Sequence, residues 1–218
     1  MKPNIEAPPR AVLWDLDGTL VDTEPAWMAG EQALAAAHGV TWTLDDALAV
    51  VGLDLRDAAN YMRTKMNVPH ISADSIIEEL GSNVARSMES GIAWRPGAVE
   101  LYSAIADRGI PQGLVTMSYE FIARPVIDAL DFDVVITGDA VDNGKPHPEP
   151  YLRAIEHLGF HSHECLAIED SPTGTTSANA AGCMVLAVPH MVDIVDAPRR
   201  HRIDSLLNIT ADELSRFF

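Results

Sequence analysis

The 218-residue chain predicts an α/β fold: a Rossmann-like parallel-sheet core with an inserted small α-helical cap domain. Three observations predict it. The apolar run Val12-Leu13-Trp14 leads into Asp15-Leu16-Asp17-Gly18, so a strand ends in two carboxylates one residue apart. Residues 23 to 95 carry helical patterns and no convincing strand run. After Gly97, short apolar runs and helical segments alternate at the spacing that right-handed βαβ crossovers need.

The first strand is read over residues 11–16. Asp15 and Asp17 share one side of the extended chain. The C-terminal end of a strand is where open α/β sheets bind ligands, and Gly18 lets the chain turn sharply beneath one. In the insertion a first helix is read over 25–38, and Trp27 and Trp42 are read as packing residues. Asp54-Leu55-Arg56-Asp57 and Ser72-Ala73-Asp74 supply caps and acidic first turns for later helices, which sum to a small bundle. Beyond the insertion, helices are read over 98–108, 121–130, 149–158 and 173–180, with strands over 112–116, 134–137, 166–168 and 184–188. Residues 1–22 plus 97–218 then form a discontinuous core and 23–96 the cap with its hinges. The chain crosses between them at Asp22-Thr23-Glu24 and Trp94-Arg95-Pro96-Gly97.

With 47% hydrophobic residues the chain can bury a sizeable core. A net charge of −17 and a pI near 4.6 weigh against nucleic-acid or anionic-membrane partners, both of which need basic surface. A phosphorylated small molecule stays compatible, because a local cation can reverse the field inside a cleft. The two cysteines, Cys165 and Cys183, read as small core residues rather than a disulfide or a nucleophile. Residues 1–10 lack an apolar secretion core, and no uninterrupted 18-residue apolar run occurs. A cytoplasmic location is the expectation, with a monomer as the expected state and a dimer left open.

Four motifs follow one another in order. They are Asp15-Leu16-Asp17-Gly18-Thr19, Thr116-Met117-Ser118, Lys145 within Gly144-Lys145-Pro146-His147-Pro148-Glu149-Pro150, and Glu169-Asp170 within Ile168-Glu169-Asp170-Ser171-Pro172-Thr173-Gly174. Together they make the chain resemble the haloacid dehalogenase-like superfamily over nearly its whole length. The wording is most similar to the subgroup holding β-phosphoglucomutase and small sugar-phosphate phosphatases. The resemblance implies a Mg²⁺-dependent phosphomonoester hydrolase acting on a small phosphorylated metabolite, a sugar or polyol phosphate, through an aspartyl-phosphate.

Phosphate oxygens repel an anionic nucleophile, so an attacking carboxylate needs fixed positive charge and a metal beside it. The resemblance carries the nucleophile to Asp15. It makes Asp17 the acid that protonates the leaving oxygen and then the base that deprotonates water. Metal ligation is expected from Asp15, the backbone carbonyl of Asp17, and Asp170, with Glu169 as a second ligand or an outer anchor; an oxygen-only set suits Mg²⁺. Lys145, one of three lysines with Lys2 and Lys65, is read as compensating the charge of phosphate and Asp15. Thr116 and Ser118 are the phosphate-binding hydroxyls, with Thr116 favoured because bulky Tyr119 follows Ser118.

Substrate choice is expected in the cap. Val51-Gly52-Leu53-Asp54-Leu55-Arg56 lies where the subgroup has a glycine-containing substrate loop, which nominates Glu24, Gly52 and Arg56, with Arg63 and Lys65 as further cations. His147 reads as part of a rigid loop, and His161 and His163 as surface residues without a transition-metal site of their own. Asp17 and the Glu169-Asp170 pair argue against a dehalogenase. A phosphonatase would need a cap Schiff-base lysine, for which only Lys65 is available. Two alternatives stay open: a β-phosphoglucomutase-like phosphomutase, whose cap needs a cation such as Arg56, and a catalytically inactive binding module.

Overall fold

The computed structural model describes residues 8–218. Among these, six parallel strands form one sheet in the order β3-β2-β1-β4-β5-β6. They are β1 (Ala11–Trp14), β2 (Gln112–Val115), β3 (Val134–Ile136), β4 (Cys165–Glu169), β5 (Met184–Ala187) and β6 (Arg200–Arg202). Strand order reverses around β1, and Trp14 is level with both Leu114 and Ile168. The ends of β1, β2 and β4 therefore deliver their next residues to one place, the switch point where α/β sheets bind ligands.

Both faces of the sheet are covered, which explains why its strands read as apolar runs. Val12 and Trp14 point to the face packed by α5 (Ala98–Ala106) and α6 (Glu120–Ala129), where they meet Leu101, Ile105 and Ile122. Ala11 and Leu13 point to the other face, against Tyr151, Ala154 and Ala178 of α7 (Glu149–Leu158) and α8 (Pro172–Ala181). Cys165 and Cys183 are free thiols in that second cluster, as their apolar surroundings in the sequence predict.

Between β1 and β2 the chain forms α1 (Glu24–Ala37), α2 (Leu44–Val50), α3 (Leu55–Met66) and α4 (Ala73–Ser90). These helices bury their own cluster, with Leu34, Trp42, Met62, Ile76 and Leu80 at its centre. The expected caps form: the Asp54 carboxylate accepts from the Arg56 N–H at 2.8 Å, and the Ser72 hydroxyl accepts from the Ser75 N–H at 3.0 Å. The far end of α4 joins the sheet's core through Val84 and Met88. The two chain crossings lie side by side, because Val21 bridges Trp94 and the Arg95 N–H donates to the Leu20 carbonyl at 2.8 Å.

Element limits differ from the sequence reading by a residue or two at most ends. Strand β6 is the strand the reading misses. Arg200-His201-Arg202 carries no apolar alternation, because this edge strand pairs with β5 alone and leaves its side chains largely in water. Among the described residues no helix is long and apolar enough to cross a membrane.

Candidate active site

The site starts where β1 stops. The Asp15 N–H still donates to the Ile168 carbonyl at 3.1 Å, so the carboxylate leaves the sheet in a fixed direction. The Thr19 hydroxyl holds Asp15 Oδ2 at 3.0 Å. Gly18 has φ +83°, and a Cβ there would sit 2.1 Å from Asp170 Oδ2. The glycine of the first motif is thus required by the carboxylate of the fourth.

Lys145 Nζ spends its three hydrogens on Asp15 Oδ1 at 2.7 Å, Glu169 Oε1 at 2.6 Å and the Val115 carbonyl at 2.9 Å. The Tyr151 hydroxyl donates to the same Glu169 oxygen at 2.5 Å. Lys145, Glu169 and Asp15 are all buried. Burial works against the lysine's charge, but the Asp15 and Glu169 carboxylates override it and hold the pKa above the ordinary lysine value. Burial raises Asp15 to about 7, with Glu169 adding to the rise and Lys145 opposing it. Asp170 is pushed well above the usual carboxylate range, by burial first and then by Asp15 and Glu169.

Ligand oxygens of Asp15, Glu169 and Asp170 all lie within 4.8 Å of one another, the one such grouping of His, Cys, Asp and Glu among the described residues. Three carboxylates against one lysine leave negative charge uncompensated, and Glu169 Oε2 is buried without a partner. A hard, oxygen-preferring divalent cation fits that donor set. Glu169 is also built into the floor: its Oε1 is taken by Lys145 and Tyr151, and a Cβ on Gly174 would sit 1.9 Å from its Oε2. The Asp17 side chain stands outside the trio.

Four donors converge on Asp17. Thr23 and Trp27 donate to Oδ1 at 2.7 and 3.2 Å, and Ser118 and Thr116 to Oδ2 at 2.8 and 3.3 Å. The second motif therefore meets the first through both of its hydroxyls. Thr116 is fully buried and accepts from the Ser118 N–H at 3.0 Å, while Ser118 lines the cleft.

A cleft of about 90 Å³ opens over these groups, lined on the core side by Asp15, Asp17, Ser118, Lys145 and Asp170. On the cap side Glu24, Trp27, Glu31 and Gly52 reach it. Gly52, at φ +71°, accepts from the Thr173 hydroxyl at 2.7 Å and so ties the cap loop to the start of α8. Arg56, nominated from the sequence, is not among the residues lining the cleft; it is exposed and paired with Asp74 at 2.7 Å. Arg63 binds Asn60 and the Pro69 carbonyl, and Lys65 binds Asp46 at 2.8 Å.

Sequence reasoning missed several members. Trp27, read as packing, donates to Asp17 and lines the cleft. Glu31 is buried there with one oxygen on Trp42 Nε1 at 2.9 Å. Burial pushes both Glu24 and Glu31 up to about 7, Asp17 and Glu31 adding to the rise at Glu24 and the Trp42 bond opposing it at Glu31. The spacing of Glu24, Trp27 and Glu31, one face of an otherwise alanine-rich helix, was the available signal. His147 serves its loop, its Nδ1 accepting from the Glu149 N–H at 3.2 Å; His161 and His163 stack with ring centroids 5.7 Å apart and join no metal grouping.

Comparison with known proteins agrees with this geometry. The family model described as Haloacid dehalogenase-like hydrolase matches residues 12–188. Hexitol phosphatase A of Escherichia coli (strain K12) is 32% identical over 203 residues, covering 91% of this chain and 90% of that protein. Phosphoglycolate phosphatase of Escherichia coli (strain K12) is 33% identical over 199 residues, covering 80% and 79%. Among solved structures, CbbY from Rhodobacter sphaeroides in complex with phosphate aligns with a TM-score of 0.76 at 24% identity, over 92% of this chain and 96% of that one, which speaks to the fold. With four motifs from four sheet ends meeting in one cleft, and with these relatives spanning nearly the same length, the chain belongs to the haloacid dehalogenase-like hydrolases.

Proposed function

We propose that this chain is a Mg²⁺-dependent phosphatase that hydrolyses a small phosphorylated metabolite, a sugar or polyol monophosphate, through a phosphoryl group carried on Asp15. The observation that carries this reading is the buried Lys145–Asp15 pair at the end of β1, with Asp170 and Asp17 beside it. A purely structural module gains nothing from burying a lysine between two carboxylates, since such pairs roughly break even against apolar packing.

Asp15 attacks phosphorus, and Lys145 holds it in line while offsetting the charge of carboxylate and phosphate. Asp17, in its protonated form, gives its proton to the leaving oxygen as the P–O bond breaks. Ser118 turns from Asp17 to a phosphoryl oxygen. Asp17, now a carboxylate, takes a proton from water as that water attacks the aspartyl-phosphate, which frees Asp15 and releases inorganic phosphate. Asp15, the Asp17 carbonyl and Asp170 would hold Mg²⁺, which would supply the charge neutralisation that lets an anion approach a phosphate. Glu169 anchors Lys145 from below.

Residues 23–96 act as the cap, moving about the paired crossings at 22–24 and 94–97; the Val21–Trp94 bridge makes a two-stranded hinge of them. The phosphomutase alternative loses its main support, because Arg56 is paired with Asp74 and no cap cation lines the cleft. Lys65 offers no Schiff-base amine to the cleft, since it pairs with Asp46 at 2.8 Å and is not among the lining residues.

Rapid-quench mass spectrometry with p-nitrophenyl phosphate tests the mechanism. A phosphoryl adduct on Asp15 is expected, with turnover lost in EDTA and in Asp15→Asn. An adduct on another residue, or full turnover in that variant, would overturn the assignment.

A further inference from the structure

The cap side of the cleft is apolar on one wall and acidic on the other. Val50, Leu53, Ala59, Met62, Ile77 and Leu80 make the first wall. The second is a single stripe of α1 that presents Glu24, Trp27 and Glu31. Glu24 is only 9% exposed and has no hydrogen-bond partner among the described residues. Glu31 is 7% exposed; its Oε2 accepts from Trp42, and its Oε1 has no protein donor.

Lys145 is the one cation lining the cleft among the described residues, and its hydrogens are already spent on Asp15, Glu169 and Val115. The free carboxylate oxygens of Glu24 and Glu31 open onto the cleft with no protein donor, so a ligand's hydroxyl hydrogens can take the place of water there. A second anionic group placed beside them would meet like charge and no counter-ion, a cost that discriminates between ligands. A polyhydroxyl chain offers the opposite: hydroxyl hydrogens for the α1 stripe and C–H faces for the aliphatic wall.

We propose that Glu24, Trp27 and Glu31 form the leaving-group subsite, which accepts the hydroxyl hydrogens of an uncharged polyol chain and rejects leaving groups bearing a second phosphate or a carboxylate. This inference rests on the phosphatase reading and narrows it to a substrate class.

The test measures kcat and KM for p-nitrophenyl phosphate, sorbitol 6-phosphate, 2-phosphoglycolate and fructose 1,6-bisphosphate, in the wild type, Glu31→Gln and the Glu24→Gln/Glu31→Gln double variant. Calorimetric affinity of Asp15→Asn for the last three compounds is the second readout. Glutamine keeps an acceptor for Trp42, and circular dichroism checks the fold. Wild type should favour sorbitol 6-phosphate over both anionic competitors by about tenfold or more in kcat/KM and in affinity. The double variant should shift that ratio toward the anionic competitors by about tenfold, through KM rather than kcat. A wild-type preference for 2-phosphoglycolate or the bisphosphate, or an unchanged ratio in the double variant, overturns the inference while p-nitrophenyl phosphate turnover keeps the phosphatase reading. Loss of p-nitrophenyl phosphate turnover in the wild type, with no phosphoenzyme, overturns both.

Discussion

Lys145 Nζ lies 2.7 Å from Asp15 Oδ1, although 130 residues separate the two in the chain. The contact forms because the loop after β3 returns over the end of β1, and Glu169 and the Val115 carbonyl complete the ammonium's set of acceptors. A pair this well enclosed is not worth much against apolar packing, yet breaking it is costly.

Lys145→Ala leaves Asp15 and Glu169 buried without their cation. It should destabilise the fold by about 3 kcal/mol and lower kcat by roughly 10²-fold or more. Denaturant titration and steady-state kinetics check the two effects separately. Unchanged turnover would remove Lys145 from the catalytic machinery.

Tyr151 is invisible as a site residue in the sequence, because it sits on α7 at a position that reads as core. Its hydroxyl nevertheless donates to buried Glu169 at 2.5 Å. Tyr151→Phe should cost about 1–3 kcal/mol, the penalty for a buried acceptor that loses a donor. A variant as stable as the wild type would show that Lys145 alone satisfies Glu169.

Gly52→Ala asks for φ +71° from a residue with a Cβ, and places that Cβ 2.7 Å from the Thr173 hydroxyl. The backbone penalty is about 1–2 kcal/mol, and the bond from Thr173 to the Gly52 carbonyl should be lost with it. A severalfold rise in KM is expected with little change in thermal stability of the core. Kinetics identical to the wild type would show that this loop does not set closure.

Glu31 gives a pH prediction with a definite sign. Burial raises its folded pKa from 4.5 to about 7. The stability associated with its protonated form is fully present below about pH 4.5 and is lost as pH rises through 7, by up to about 3 kcal/mol. Glu31→Gln stays neutral throughout. Its melting temperature relative to the wild type should therefore climb between pH 5 and 7.5 and level off above, measured in EDTA. Glu24 lies beside Glu31 and is buried like it, so salt should damp the effect only weakly. A difference that is flat with pH would mean that water reaches Glu31 freely.

The strand-and-helix alternation, the helical insertion and the four motifs are all legible in the linear sequence. Each is a local matter. A strand covered on both faces must be apolar along its length, and a βαβ unit has a fixed spacing, so the sheet announces itself by composition and period. Asp15, Asp17, Lys145 and Asp170 are visible for the same reason, since each follows or borders a recognisable element. Edge strand β6, with its basic and largely exposed residues, has no such pattern and goes unread.

The chain by itself thus determined which chemical groups are brought to the sheet's C-terminal edge. The tertiary structure alone decided how they are used. Arg56 stands out in the sequence as a cap contact and Glu31 does not, but Arg56 pairs with Asp74 while α1 turns Glu31 inward beside Trp42. Ser118 takes the cleft and Thr116 the floor for the same kind of reason. A side chain's partner is chosen by which surfaces meet when distant segments pack, and the free energy of burying or pairing a charge depends on those neighbours rather than on the residues adjacent in the chain.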